Sequence, residues 1–192
     1  MTVLWLVLAG SARAGGGVVL SNDTCIINIG FYDAHFTAYQ PDAKGDTEFC
    51  EDLPVAGKAV FVLDYLHRSL KDVPVDFRII RNVTGKGEFA RENDIDALGN
   101  LDAATVFYAP PAVKSNGTLL VEHVFAERGE YIGIVTAGHP SNSNIYTAVF
   151  PFKVGASGVP WGWLGFLVAL LLAGGFLFRM KNIGGANRTS TE

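Results

Sequence analysis

Residues 118–136 read TLLVEHVFAERGEYIGIVT, and this stretch decides the fold. Leu119, Val121, His123 and Phe125 share one side of an extended chain, because side chains alternate along a strand. Arg128-Gly129 interrupts the run, and an apolar stretch resumes at Tyr131. Two short runs rich in β-branched and aromatic residues, split by turn residues, predict strand, turn, strand. The pattern continues outward in both directions. Comparable runs at 25–29, 34–39, 59–66, 75–81, 104–108 and 146–154 join those at 118–125 and 131–136. Turn residues separate them at Pro41-Asp42, Leu53-Pro54, Asn116-Gly117 and Gly138-His139-Pro140. The stretch 88–98 supports no more than a turn or two of helix, since Gly, Asn and Asp punctuate it. Pro151 makes the last run an edge strand or marks a bulge. Seven or eight short strands predict an all-β protein of two packed antiparallel sheets, with a cupredoxin-like barrel as the near neighbour.

Both ends of the chain have a different character. Residues 159–178 read VPWGWLGFLVALLLAGGFLF without one charged side chain, and Arg179 and Lys181 follow at once. Twenty such residues suit a transmembrane helix, and Trp161 and Trp163 suit the headgroup level. Arg179, Lys181 and Arg188 put the tail in the cytoplasm. The run from Val3 to Ala9, followed by Ala12-Arg13-Ala14, fits a signal peptide with a small-x-small cleavage site. The expected organisation is therefore a signal peptide over 1–14, an exported β-sandwich over 15–155, a linker over 156–158, a single transmembrane α-helix over 159–178 and a cytoplasmic tail over 179–192. The expected address is the inner membrane, with the domain in the periplasm. A net charge of −4 speaks against nucleic acid as a partner. The expected partners are the lipid bilayer and an integral membrane protein complex. Gly162, Gly165, Gly174 and Gly175 offer close approach to another helix.

The segment from Glu127 to Val135, ERGEYIGIV, resembles the tyrosine corner of immunoglobulin-like sandwiches. There an acidic residue, a Gly and a Tyr precede the penultimate strand, and the Tyr hydroxyl bonds back to the main chain. Glu127 stands where Asp is more usual. With the closing strand and the anchor, residues 57–155 resemble the small exported immunoglobulin-like domains of the YtkA-like and FixH-like groups. The resemblance implies the architecture and assigns no site residue.

The chemistry is sparser. Cys25 and Cys50 are the only cysteines. In an exported domain they are expected to form a disulfide. Four histidines, His35, His67, His123 and His139, are the only other soft or borderline ligands in the domain, and none belongs to a close pair. His35, His123 and His139 are the candidates for a metal site, with copper as the alternative cofactor. The favoured reading is no metal: His123 as a core histidine, His139 solvated in a turn, and His67 ending its strand. A blue-copper site needs His close after Cys, and a thioether Cu(I) site needs methionines other than Met1 and Met180. G-x-S-x-G, H-E-x-x-H, C-x-x-C and P-loop motifs are absent, so no enzyme is expected. Asp94 and Asp96 begin like a calcium loop but lack its later Gly and Glu. The acidic stretch from Glu48 to Pro54 is expected to be a solvated loop pinned by the disulfide, with docking as its functional reading. The expected function is an accessory or assembly subunit of a membrane enzyme complex. The alternative is a periplasmic module that delivers copper to a membrane oxidase or monooxygenase. A domain plus one helix is similar to the small auxiliary subunits of the copper membrane monooxygenases, although their thiolate-methionine copper motif is absent.

Overall fold

The computed structural model describes residues 18–21, 24–155, 165–166 and 169–171. Ten strands form among them: β1 (Val18–Ser21), β2 (Thr24–Ile29), β3 (Tyr32–Tyr39), β4 (Glu48–Phe49), β5 (Gly57–Tyr65), β6 (Pro74–Arg81), β7 (Thr105–Val113), β8 (Thr118–Phe125), β9 (Gly129–Gly138) and β10 (Ile145–Val154). Two short helices, α1 (Pro41–Lys44) and α2 (Glu92–Asp96), lie in connections. All strand pairings are antiparallel, in two sheets. The first sheet runs β1-β2-β3-β5-β8, with β4 also on β3, and the second runs β10-β9-β6-β7.

Eight of these strands are the expected runs, some of them longer. The two additions, β1 and β4, are too short to show alternation. β7 extends through Pro110 and Pro111 to Val113 because it is an edge strand and both prolines fall in a register shift against β6, between the Val75–Ala112 and Phe77–Ala109 pairs, where neither has a ladder bond to lose. β10 is likewise an edge, as Pro151 implied. The stretch 87–98 holds a 3-10 turn at Gly87–Phe89 and α2.

The inward faces of both sheets interlock through phenylalanines. The Phe61 ring on β5 lies 5.5 Å from Phe77 on β6, 5.8 Å from Phe152 on β10 and 6.2 Å from Phe125 on β8. Phe150 meets both Phe36 and Phe77. Gly133 on β9 stands opposite Phe150, and a Cβ there would overlap that ring. The outer face of the second sheet is covered too. Ile80, Ile132, Ile134 and Val149 pack there under Ala90 and Ile95, from the connection between β6 and β7.

The tyrosine corner is present as hydrogen-bond geometry. The Tyr131 hydroxyl donates to the Glu127 carbonyl at 3.0 Å. The disulfide also forms, between Cys25 and Cys50 with Cα atoms 5.5 Å apart. Its position follows from the register. β5 occupies one side of β3, so β2 and β4 share the other, end to end. Cys25 lies one step beyond the Ile26–His35 pair, and Cys50 one step beyond the Phe49–Ala38 pair. The bridge therefore joins the two pieces of that edge where β3 changes partner.

The expected signal peptide, linker and tail lie outside the described residues, and so does most of the anchor over 159–178. Residues 165–166 and 169–171 are helical. Among the described residues no helix is long and apolar enough to cross a membrane. Residues 1–156 and 157–192 form separate compact units.

Candidate functional site

One end of the sandwich carries an aromatic cluster built from three connections. Gly30 and Phe31 form the turn between β2 and β3. Gly30 takes a φ of 62°, in the left-handed region that glycine tolerates, and the Tyr146 side chain rests against it. This turn presents Phe31 at the surface, where it remains 44% exposed. The rings of Tyr146, His67 and His139 meet Phe31 edge-on at 5.1, 5.5 and 5.6 Å. Below it, the Tyr32 hydroxyl donates to the Gly138 carbonyl at 2.8 Å and ties the two sheets together. Beside this cluster, Leu66 is 58% exposed and Ile145 is 70% exposed. A projecting ring held by other rings, with aliphatic neighbours in water, is the anatomy of a protein-binding anchor. β10 ends at Val154, the opposite end of the strand from Ile145.

The histidines fall at separate places. His67 and His139 belong to the tip. The buried His67 Nδ1 has no hydrogen-bond partner, and His139 Nδ1 accepts the Ser141 N–H at 3.0 Å. His139 is half-buried rather than solvated, because Phe31 and Tyr146 pack on its ring. His35 lies on the outer face of the first sheet, cross-strand from Ile26 and Asp64, with Nε2 3.2 Å from Thr37 Oγ1. His123 faces inward at the edge strand β8, its ring 5.5 Å from Phe107 and 4.6 Å from Phe125. His35, His123 and His139 are thus not brought together. Among the described residues no three His, Cys, Asp or Glu side chains are placed to hold a metal ion.

Burial lowers the pKa of His123 from its ordinary value. The unfolded chain then binds the proton first as the pH falls. Stability from this site is complete above about pH 6.5 and declines as the pH drops through that value, until the folded imidazole also protonates. We expect Tm to fall between pH 8 and pH 5 by more in the wild type than in His123→Gln, read by circular dichroism. Equal slopes would show that Phe107 and Phe125 do not desolvate this ring.

No protein-family model matches the sequence, and no curated protein matches it. A solved structure does: the crystal structure of the PmoD soluble domain from Methylocystis sp. ATCC 49242 (Rockwell). The two are 33% identical with a TM-score of 0.57, over 70% of this chain and 100% of that domain. The chain belongs to the PmoD family. Of the resemblance of residues 57–155 to the YtkA-like and FixH-like groups, the small two-sheet sandwich is what the structure bears out. Because the PmoD soluble domain is covered over its full length, the relation speaks for a whole domain rather than a shared motif.

The tip was only partly legible in the sequence. Its signal was Phe31 inside a Gly-containing turn, an apolar ring where polar residues are usual. The acidic segment from Glu48 to Pro54 is tied down at more points than its disulfide. Glu48 accepts from the Tyr39 hydroxyl, the Asp52 carboxylate accepts the Lys153 N–H, and buried Leu53 bridges to Val154. Near it Lys153 Nζ lies 3.8 Å from Glu88 and 3.9 Å from Glu130. Asp94 accepts the Arg91 N–H at 3.0 Å, which fastens the start of α2.

Proposed function

We propose that this chain is an accessory or assembly subunit of a membrane enzyme complex, held at the outer face of the inner membrane by residues 159–178. It works by binding protein and catalyses nothing itself. The observation that carries the reading is the likeness to a PmoD soluble domain over that domain's full length. A part described as a soluble domain matches the layout read here, an exported sandwich joined to an apolar segment. That layout is similar to the small auxiliary subunits of the copper membrane monooxygenases. The immunoglobulin-like classification rests on the Tyr131–Glu127 bond together with the two antiparallel sheets. Anchoring confines the domain to the membrane plane and raises its effective concentration near membrane partners. The rigid tip around Phe31 is the surface we assign to the partner.

The test is purification of the full chain from detergent-solubilised membranes, with metal analysis of the same sample. A stoichiometric integral membrane partner is expected. It should be lost on deleting residues 159–178 or in Phe31→Asp, and retained in His35→Ala with His123→Ala. A stoichiometric copper ion that disappears in the double histidine variant, without a membrane partner, would replace this reading with copper delivery.

A further inference from the structure

The connection from β6 to β7 covers only part of the outer face of the second sheet. Beside it lies an open cleft of about 370 Å³, the size of a small-molecule site. Its floor is Asp76 and Arg78 of β6 with Ile134 and Thr136 of β9, and its wall is the segment from Gly99 to Asp102. Asp76 and Arg78 share one face of β6, being two residues apart. Among the described residues they nevertheless form no ion pair with each other. Each is drawn to the opposite side. Arg78 leans toward β7, where its guanidinium stacks on the Tyr108 ring at 4.2 Å and its Nη1 donates to Thr105 Oγ1 at 2.9 Å. Asp76 leans toward β9, where Thr136 hydrogen-bonds to its carboxylate. Burial raises the Asp76 pKa above the usual carboxylate value, against the hydrogen bonds from Thr136 and the charge of Arg78. A partly dehydrated anion and a partly buried cation therefore face one cleft without touching.

The cleft is also rigid. Thr105 Oγ1, which accepts from Arg78, donates to the Leu101 carbonyl at 2.8 Å. The Asn100 side chain accepts the Asp102 N–H at 2.7 Å. Floor and wall are tied together before any ligand arrives, so a ligand has little ordering to impose.

We propose that this cleft binds a free α-amino acid with an aliphatic side chain, its carboxylate on Arg78, its ammonium on Asp76 and its side chain along Leu101 and Ile134. This goes beyond the accessory-subunit reading and does not rest on it. The choice of ligand follows from charge. Asp102 approaches Arg78 Nη1 at 3.5 Å, so the one guanidinium has two carboxylates around it. A simple anion meets both of them. A simple cation answers Asp76 and leaves Arg78 covered without a new acceptor, which costs free energy. A zwitterion answers both ends. The spacing agrees. Strand positions two apart lie about 7 Å from each other, and side chains that lean away widen the gap at their tips. An ammonium and a carboxylate joined through one carbon, with a charge-assisted hydrogen bond of about 2.8 Å at each end, span a gap of that size. A residue inside a polypeptide has neither group free, so the class is the free amino acid and not a peptide loop. Half-buried Leu101 and buried Ile134 give its side chain an apolar wall, and an acidic side chain would add another carboxylate to the two already present.

The test is calorimetric titration of the full chain in detergent with L-leucine. One equivalent should bind with a Kd below about 1 mM. Leucinamide lacks the carboxylate, N-acetylleucine lacks the ammonium, and glutamate adds a second carboxylate. Each should bind more weakly than leucine by on the order of tenfold or more. Asp76→Asn and Arg78→Gln should each weaken leucine by a similar factor, with unchanged far-ultraviolet circular dichroism. The ligand series carries the test even where a variant fails to fold. No binding of leucine at about 10 mM would overturn the proposal. So would leucinamide or N-acetylleucine binding as tightly as leucine, the first marking a plain cation site and the second a plain anion site. Undiminished leucine binding in both folded variants would place the ligand elsewhere and overturn it as well.

Discussion

Phe61→Ala is expected to lower the stability of the sandwich by about 4 kcal/mol. Phe61 is fully buried, and its ring meets Phe36 and Phe125 from its own sheet and Phe77 and Phe152 from the facing one. Truncation removes the transfer free energy of a phenyl ring and opens a cavity between two sheets. Neither sheet can collapse freely into that cavity. The second sheet is held from outside by the Ile80, Ile95 and Val149 cluster, and the two sheets are tied at one end by the Tyr32–Gly138 bond. Denaturant unfolding followed by circular dichroism measures the loss. A change below about 1 kcal/mol would mean that the facing phenylalanines do not depend on Phe61.

The residues that made the fold legible are those whose neighbours along the chain also set their environment. In β8, Leu119, Val121 and Phe125 are buried as the two-residue period requires, and the strand has the expected bounds. The Tyr131 bond to Glu127 was legible for the same reason, being a contact over four residues. What stayed hidden depends on distant segments. β4 is two residues long and exists because β3 has free edge beyond the end of β2. Nothing local in Glu48-Phe49 shows that. The tip needed three connections to converge, so His139 read alone looked solvated, while Phe31 and Tyr146 half-bury it. The separation of the histidines was also invisible, because one strand face says nothing about which residues arrive from the other sheet. His123 illustrates this: its inward direction was legible, but its neighbour Phe107 comes from β7.

Replacing Cys25 and Cys50 by Ser is expected to cost about 3.5 kcal/mol, the second large effect. The bridge closes a loop with a sequence separation of 25, and a cross-link over that length removes about this much entropy from the unfolded chain. The folded side of the balance gives the effect its location. β2 and β4 have no ladder to each other and are held only as successive neighbours of β3. Without the bridge, β4 keeps its two-residue pairing to β3, the packing of half-buried Phe49 on the core, the Tyr39–Glu48 hydrogen bond, and the attachment of Asp52 and Leu53 to the end of β10. Loss of β4 would therefore loosen the segment from Pro41 to Glu51 before the two sheets separate. Hydrogen exchange should show faster exchange at Phe49 in the serine variant while Phe61 and Val135 remain protected. In the wild type, both cysteines should resist alkylation until a reductant is added. Free thiols in freshly prepared membranes, or a serine variant as stable as the wild type, would show that β3 holds its divided edge without the covalent link.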